Sequence, residues 1–144
     1  QSGVTLIELL LVVSVLSIIA GLTIPSYMKL IPNMRLNGAA RMVMSDLMLA
    51  RMSAAKENNE YKIFFLNNHQ YKILDDDDND GAEDTGEATT TEDIQGMYRQ
   101  VSFNATANPI FYPRGTAYGS TITLQNLSGS KSISISLTGR VELN

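Results

Sequence analysis

The sequence contains no cysteine and only one histidine, His69, and these two absences exclude most side-chain chemistry. Without cysteine the chain can form neither disulfide bonds nor thiolate metal sites. With one histidine, placed in a predicted turn at 67–70, no histidine-based catalytic constellation can be assembled. An enzyme built on this chain would have to rely on acidic residues alone, and we therefore expect no catalytic activity.

Basic residues are missing from one segment of the chain. Between Asp75 and Asp93 lie ten of the fifteen acidic residues and none of the eleven lysines and arginines. The remainder holds five acidic residues and therefore has a balance of +6, although the formal net charge of the whole chain is −4. The sequence thus predicts one acidic loop, 75–93, on a mildly basic protein.

Charge is also scarce near the start of the chain, where a long apolar run is found. Leu6 to Ile24 spans 19 residues, of which only Glu8 is ionisable. As a helix this run would rise about 28 Å, close to the roughly 30 Å of a bilayer core. A cleaved secretory signal is the alternative, but such signals have a shorter apolar core and a small-residue cleavage site, whereas this run ends in Pro25-Ser26. We therefore predict a retained membrane helix.

Glu8 is the unusual residue of that helix. A carboxylate inside a membrane helix costs about 2.5–3.5 kcal/mol on insertion scales, so it is a candidate functional residue. Alternatively, Glu8 lies near enough to the helix end to reach the headgroups, since it is only about 3 Å along the axis from Leu6. Composition alone leaves both interpretations open.

The stretch from Gly3 to Leu10, GVTLIELL, resembles the processing motif of type IV pilins and type II secretion pseudopilins. The resemblance implies that a prepilin peptidase cleaves between Gly3 and Val4 and methylates the new amino terminus. It also implies that Glu8 drives assembly with other pilins or pseudopilins, and that residues 1–3 are a leader remnant. Val4 departs from the family pattern, which usually has Phe or Met there. The expected location is the bacterial inner membrane, single-pass, with a periplasmic head that enters a filament.

Two helical halves are expected after the cleavage point. Residues 4–30 form the membrane and assembly half, in which Gly21 and Pro25 should kink or locally open the helix. Pro32 is either a second break or an amino-terminal helix position. Residues 31–60 form an amphipathic half, in which small and large apolar residues recur every three or four positions as a stripe along one face of the helix. The stripe comprises Leu36, Ala40, Val43, Leu47, Ala50 and Ala54.

The remaining residues, 61–144, predict a small antiparallel β head. Short apolar or alternating runs are separated by turns rich in Gly, Pro and Asn. The predicted fold class is α+β, with a long helix packed on about two antiparallel sheets. The predicted strands are 61–66, 71–74, 97–103, 110–112, 121–124, 132–137 and 141–143, and 88–93 is expected to be a polar linker.

The acidic segment matches the spacing of a calcium-binding loop. Read from Asp76, it places acidic residues, a tight-turn glycine and a backbone carbonyl at the intervals that supply calcium with oxygen ligands. The alternative is a solvated acidic loop without a metal. The candidate ligands of a structural Ca²⁺ ion are Asp76, Asp78, Asp80, Ala82, Asp84 and Glu87, with Gly81 at the turn.

Further segments, 37–40, 50–55, 111–117, 119–124 and 137–141, are similar to those of the minor pseudopilin H and FimT-like minor pilins. This resemblance implies a structural subunit of the initiating or tip complex of a type II secretion pseudopilus or a type IV pilus. The alternative function is DNA binding during uptake, which some FimT-like pilins perform through a carboxy-terminal Gly-Arg-x-Arg. Here Arg140 matches the first arginine, but Glu142 replaces the second and would repel phosphate.

Overall fold

One long helix dominates the computed structural model. The structure describes residues 3–144, and within the helix it leaves out the side chains of 22, 24–26 and 29. Helix α1 spans Leu6–Glu57. Thr5 caps its amino-terminal end, because the Thr5 hydroxyl accepts a hydrogen bond from the Glu8 backbone N–H at 3.4 Å. It ends at Asn58, whose positive φ of 63° is a common way to terminate a helix. The predicted end of the helix near 57–59 is confirmed.

The helix is continuous through Gly21, Pro25 and Pro32. The predicted local opening at Gly21 and Pro25 is therefore absent from the isolated chain, and Pro32 is neither a break nor a first helical residue. A proline removes one hydrogen bond, but the turns on both sides are long enough to keep the backbone helical. In the part of the chain that the structure describes, no helix is both long and apolar enough to cross a membrane.

The second half of α1 packs on the β head through the predicted stripe. All six predicted positions are buried, from Leu36 to Ala54, and Ala39 joins them. Ala39, Ala40 and Ala54 have no exposed surface, so strands approach the helix closely at these points. This burial supplies the core, and the predicted α+β class is confirmed.

The head contains two antiparallel sheets. The first has the order β3-β2-β1-β5-β6 and the second the order β4-β7-β8-β9. The strands are β1 (Glu60–Phe65), β2 (Gln70–Asp76), β3 (Thr89–Asp93), β4 (Ser102–Ala105), β5 (Ile110–Phe111), β6 (Ala117–Tyr118), β7 (Ser120–Asn126), β8 (Gly129–Ile135) and β9 (Val141–Leu143). A short helix, α2 (Ile94–Met97), connects β3 to β4.

Two predictions for the head were wrong. The expected linker 88–93 is largely the edge strand β3, which pairs with β2 from Gln70↔Asp93 to Leu74↔Thr89. Its three threonines favour extended backbone, but their exposure removes the apolar alternation that identifies a strand. The expected strand 97–103 is instead the end of α2, a turn and the start of β4, because Asp93 caps α2 by accepting the Gln95 N–H at 2.8 Å.

Candidate functional site

The amino-terminal candidate site lies at the exposed start of α1. Gly3, Val4 and Thr5 precede the helix, and Val4 is 72% exposed. Both residues of the Gly3–Val4 bond are therefore exposed, and cleavage there stays a prediction. Gln1 and Ser2 of the expected leader remnant lie outside the described residues. Glu8 is also exposed, on the first turn of the helix.

Three polar side chains of this helical half are satisfied within the helix. The hydroxyls of Ser14, Ser17 and Thr23 donate to the carbonyls four residues earlier, at 2.7, 2.8 and 2.8 Å. These bonds make the hydroxyls compatible with an apolar environment. The Glu8 carboxylate, by contrast, accepts no hydrogen bond from any described residue. Glu8 is therefore the one acidic group of residues 3–21 that still needs a partner.

The same helical half presents a large apolar surface with no covering in the isolated chain. Such a surface indicates a lipid or protein contact. The large apolar side chains that are at least half exposed between residues 6 and 19 are Leu6, Ile7, Leu9, Leu10, Leu11, Val12, Val13, Leu16, Ile18 and Ile19.

The acidic candidate site is the loop between β2 and β3, residues 77–88, which forms the central part of the predicted acidic segment 75–93. From here on the name acidic loop refers to residues 77–88. Its base is closed by the Asp75 N–H, which donates to the Ala88 carbonyl at 2.9 Å. One carboxylate oxygen each from Asp76, Asp78 and Asp80 lies within 4.8 Å of the others. The first, third and fifth positions of the predicted loop are therefore brought together at one point.

Backbone N–H groups organise this cluster. Asp76 is fully buried, and its two carboxylate oxygens accept the N–H groups of Asp80 at 3.1 Å and Gly81 at 2.7 Å. Asp78 also accepts the Asp80 N–H at 3.1 Å. Gly81 has a φ of 78°, which supplies the tight turn expected at this position. The loop is thus already bent around the three carboxylates.

The other predicted ligands do not join the cluster. The two Glu87 carboxylate oxygens accept the N–H groups of Asp77 at 3.1 Å and Asp84 at 2.8 Å, so Glu87 holds the far side of the loop. The Ala82 N–H donates to Asp80 Oδ1 at 2.7 Å. A cation at the three aspartates would require Asp84 and Glu87 to move inward to complete its shell.

Sequence reasoning missed the residues that attach the acidic loop to the sheet. Lys62 on β1 donates to the Gly81 carbonyl at 2.6 Å, and Lys72 on β2 pairs with Glu83 at 2.5 Å. Asn59 donates to Asp77 at 2.6 Å. Burial, and then the nearby Asp76 charge, raise the pKa of Glu60. The alternation of strands β1 and β2 places both lysines on the side that faces the loop, which is the signal that could have identified them.

The candidate DNA-binding residue is neutralised by its neighbour. Arg140 Nη2 pairs with Glu142 Oε1 at 2.5 Å, and the Arg140 side chain is 72% exposed. Arg140 therefore already has an acidic partner in the Gly139-Arg140-Val141-Glu142 segment, and Glu142 would also repel a phosphate placed there.

Comparisons with solved structures give the same fold. The chain is similar to the type IV minor pilin FimU of Pseudomonas aeruginosa, with 20% identity, a TM-score of 0.58, and coverage of 76% of this chain and 87% of FimU. It is also similar to the minor pseudopilin EpsH of the Vibrio cholerae type 2 secretion system, with 9% identity, a TM-score of 0.61, and coverage of 76% and 96%. A third similar structure is GspH of Escherichia coli, with 14% identity, a TM-score of 0.54, and coverage of 78% of this chain and 89% of GspH.

Sequence comparison identifies the family. No curated protein sequence gives a significant match. The family model described as "Type II transport protein GspH" matches residues 39–139, which include most of the helical stripe and almost the whole head. The chain therefore belongs to the GspH family.

Proposed function

We propose that this protein is a minor subunit of the initiating or tip complex of a type II secretion pseudopilus or a type IV pilus. Its role is assembly rather than catalysis. A prepilin peptidase cleaves between Gly3 and Val4 and methylates the Val4 amine. Residues 4–30 then anchor the subunit in the inner membrane, with the head in the periplasm, until the subunit joins other pilins in the filament.

The unpartnered Glu8 carboxylate carries this proposal. It is the one acidic group in a helical half in which the hydroxyls of Ser14, Ser17 and Thr23 are already bonded. The Val4 amine of a neighbouring subunit would supply a positive charge at the matching height of the bundle. Pairing the two charges in lipid removes two unfavourable groups at once, so it selects the axial register of the subunits as well as their affinity.

We also infer that the acidic loop binds a structural Ca²⁺ ion. Three carboxylate oxygens within 4.8 Å of one another repel unless a cation lies between them. The ion would be held by Asp76, Asp78 and Asp80, with Asp84 and Glu87 closing from the far side. Its role would be to fix the loop that joins β2 to β3.

The assembly role is tested by substituting Glu8 in the full chain. Glu8→Ala and Glu8→Gln should insert into the membrane normally but should not be recovered in filaments. Ser17→Ala is the matched control, because it removes a polar group of the same helix whose hydroxyl is bonded to the Val13 carbonyl at 2.8 Å. Filaments that contain Glu8→Ala at the wild-type level would refute the proposal.

The tip position is tested by counting copies. If the subunit initiates or caps the filament, its amount per filament should stay constant as filament length increases. Quantitative mass spectrometry of filaments sorted by length measures this ratio. An amount that grows in proportion to length would place the subunit along the shaft and would contradict the tip assignment without affecting the role of Glu8.

A further inference from the structure

The charged residues of the head are separated along α1. The acidic loop lies at the carboxy-terminal end of the helix, where Asn59 donates to Asp77 at 2.6 Å. The β7–β8 turn lies beside the middle of α1, at the start of its amphipathic half, where the Asn126 side chain donates to the Pro32 carbonyl at 2.7 Å. Pro32 and Asn59 are about 40 Å apart along the helix axis. The head therefore has an acidic pole and a second pole next to Pro32, which we call the proximal pole.

The proximal pole combines an exposed apolar side chain with a polar cavity. Leu127, in the β7–β8 turn, is 89% exposed, the highest value among the exposed large apolar side chains of the head. Next to it is an open cavity of about 650 Å³, lined by Leu127 together with Gln100, Ser102, Gln125, Asn126 and Ser130. Amide and hydroxyl groups of this kind can donate hydrogen bonds to an oxygen-rich ligand.

Arg35 contacts a residue that lines this cavity, and two further basic residues are next to lining residues in the sequence. Arg35 on α1 donates to Gln100 at 3.5 Å, Arg99 is the residue next to Gln100, and Lys131 follows the lining residue Ser130. None of the three forms an ion pair with a described acidic side chain. On α1 itself no acidic residue occurs between Glu8 and Asp46. The proximal pole is therefore positively charged and lacks internal neutralisation.

We propose that the proximal pole docks on the anionic surface of the membrane that holds the subunit. The proposal rests on the proposed anchoring by residues 4–30. Pro32 lies about 12 Å along the helix axis from Ile24, the last residue of the apolar run. In an upright anchor the β7–β8 turn is therefore a few ångströms outside the headgroup layer, which is roughly 5–8 Å thick. The usual helix tilt of about 20° brings a head on the lower side of the helix closer to that layer. Leu127 enters the headgroup boundary, and Arg35, Arg99 and Lys131 attract anionic phospholipid headgroups.

The separation of charge gives the docked state one orientation. The ten acidic residues between Asp75 and Asp93 are repelled by the anionic surface, while the proximal pole is attracted to it. Docking would hold the head upright on the membrane before assembly. Extraction into a filament must then break this contact, so it competes with the pairing of Glu8.

The chain has no tryptophan, which makes a site-specific fluorescent probe simple to introduce. Full-length Leu127→Trp is reconstituted in vesicles of phosphatidylcholine with or without phosphatidylglycerol, some with brominated acyl chains. We expect blue-shifted emission and quenching by bromine that both increase with phosphatidylglycerol. Leu137→Trp is the matched control: Leu137 is 73% exposed, and its neighbour Gly139 lies against Arg51, far from the proximal pole. The emission of this control tryptophan should remain that of a solvent-exposed side chain in all vesicles.

A charge variant tests the electrostatic part. Each basic residue near an anionic surface contributes about fivefold to binding, so Arg99→Ala with Lys131→Ala should lower the docked-to-undocked ratio about 25-fold. Arg114→Ala with Arg140→Ala removes the same charge elsewhere and should change it little. If the vesicles carry the protein but the Leu127→Trp emission is that of a solvent-exposed tryptophan, docking of the proximal pole is refuted and the anchoring is not. A blue shift without bromine quenching would indicate a neighbouring subunit instead, and failure to float with vesicles would overturn the proposed anchoring too.

Discussion

The Tyr71 hydroxyl on β2 donates a hydrogen bond to the Asp46 carboxylate on α1, and this bond connects the helix to the first sheet. Tyr71 is 1% exposed, and its ring contacts those of Phe65 and Phe103 at centroid distances of 6.4 and 6.0 Å. Burial, and then the Asp46 carboxylate, raise the pKa of the Tyr71 hydroxyl, so it remains a donor at neutral pH. The contact therefore adds a buried polar connection between α1 and the first sheet to the apolar packing of the helical stripe.

Tyr71→Phe should lower the free energy of unfolding by about 1–2 kcal/mol. The ring and its packing are kept, and only a hydrogen bond to a charged group is lost. Thermal unfolding of the detergent-solubilised full chain measures the change. Tyr61→Phe is the matched control, because the Tyr61 hydroxyl donates to Glu57 at 2.6 Å in a more exposed setting. An equal effect of both substitutions would contradict a special role for the Asp46 bond.

Gly38→Ala should destabilise the contact between α1 and the β head. A Cβ at Gly38 would lie 2.3 Å from Cε1 of Tyr98, so the tyrosine ring would have to move. Overpacking of this kind costs about 1–3 kcal/mol. Gly96→Ala is the control, since a Cβ there meets no described atom within 4 Å. Tyr98→Ala combined with Gly38→Ala should cost less than the sum of the single changes, and strict additivity would disprove the predicted clash.

Glu60→Gln should raise the melting temperature at neutral pH. The pKa of Glu60 is raised by burial and by Asp76, so its ionised form is disfavoured in the folded state. That penalty is present above the folded pKa and disappears as the pH falls below the ordinary carboxyl pKa of about 4. The gain should therefore vanish in acid, which melting curves across pH would reveal.

Asp93→Asn supplies a control of opposite sign. Hydrogen bonds from Gln70, and then from the Gln95 N–H, lower the pKa of Asp93. Its stabilising contribution is present above the ordinary carboxyl pKa and is lost as the pH falls through the folded pKa. The substitution should therefore lower the melting temperature at neutral pH and have less effect in acid. The same sign for Glu60→Gln and Asp93→Asn would contradict both assignments.

The long helix and its packed stripe could be predicted because helical periodicity is a local property of the sequence. Leu36 and Ala54 are recognisable by spacing alone, and both are buried. Edge strand β3 could not be predicted in this way, because its threonines face water and it pairs with residues of β2 that lie 15 to 23 positions earlier, from Leu74↔Thr89 to Gln70↔Asp93. Tertiary pairing there outweighs the local pattern.

The acidic site was only partly predictable for a related reason. Spacing placed Asp76, Asp78 and Asp80 together, since a turn with Gly81 brings alternate residues to one side. Spacing could not show that Asp76, which is the last residue of β2, would be fully buried. It also could not show that Lys72 would pair with Glu83, because that contact requires the loop between β2 and β3 to fold back over β2.

Calcium should stabilise the head, and its removal should be detectable as a lower melting temperature. A ligand at 100 times its dissociation constant adds about 2.7 kcal/mol to the free energy of unfolding. Calorimetry and melting of the full chain in detergent, with calcium and with a chelator, measure binding and stabilisation. Asp78→Ala should abolish both, because it removes one of the three clustered oxygens.

Two further variants separate a cluster site from a complete loop site. Asp84→Ala should weaken calcium binding if the far side of the acidic loop closes on the ion, since Asp84 stands outside the cluster of three aspartates before binding. Glu92→Ala, on β3, removes an equal charge away from the cluster and should leave binding nearly unchanged. If Asp78→Ala and Glu92→Ala reduce affinity equally, the attraction is a diffuse effect of net charge rather than coordination. If the wild-type chain shows neither heat nor a shift in melting temperature, the acidic loop binds no calcium, and its shape is maintained by the backbone N–H groups that Asp76 accepts.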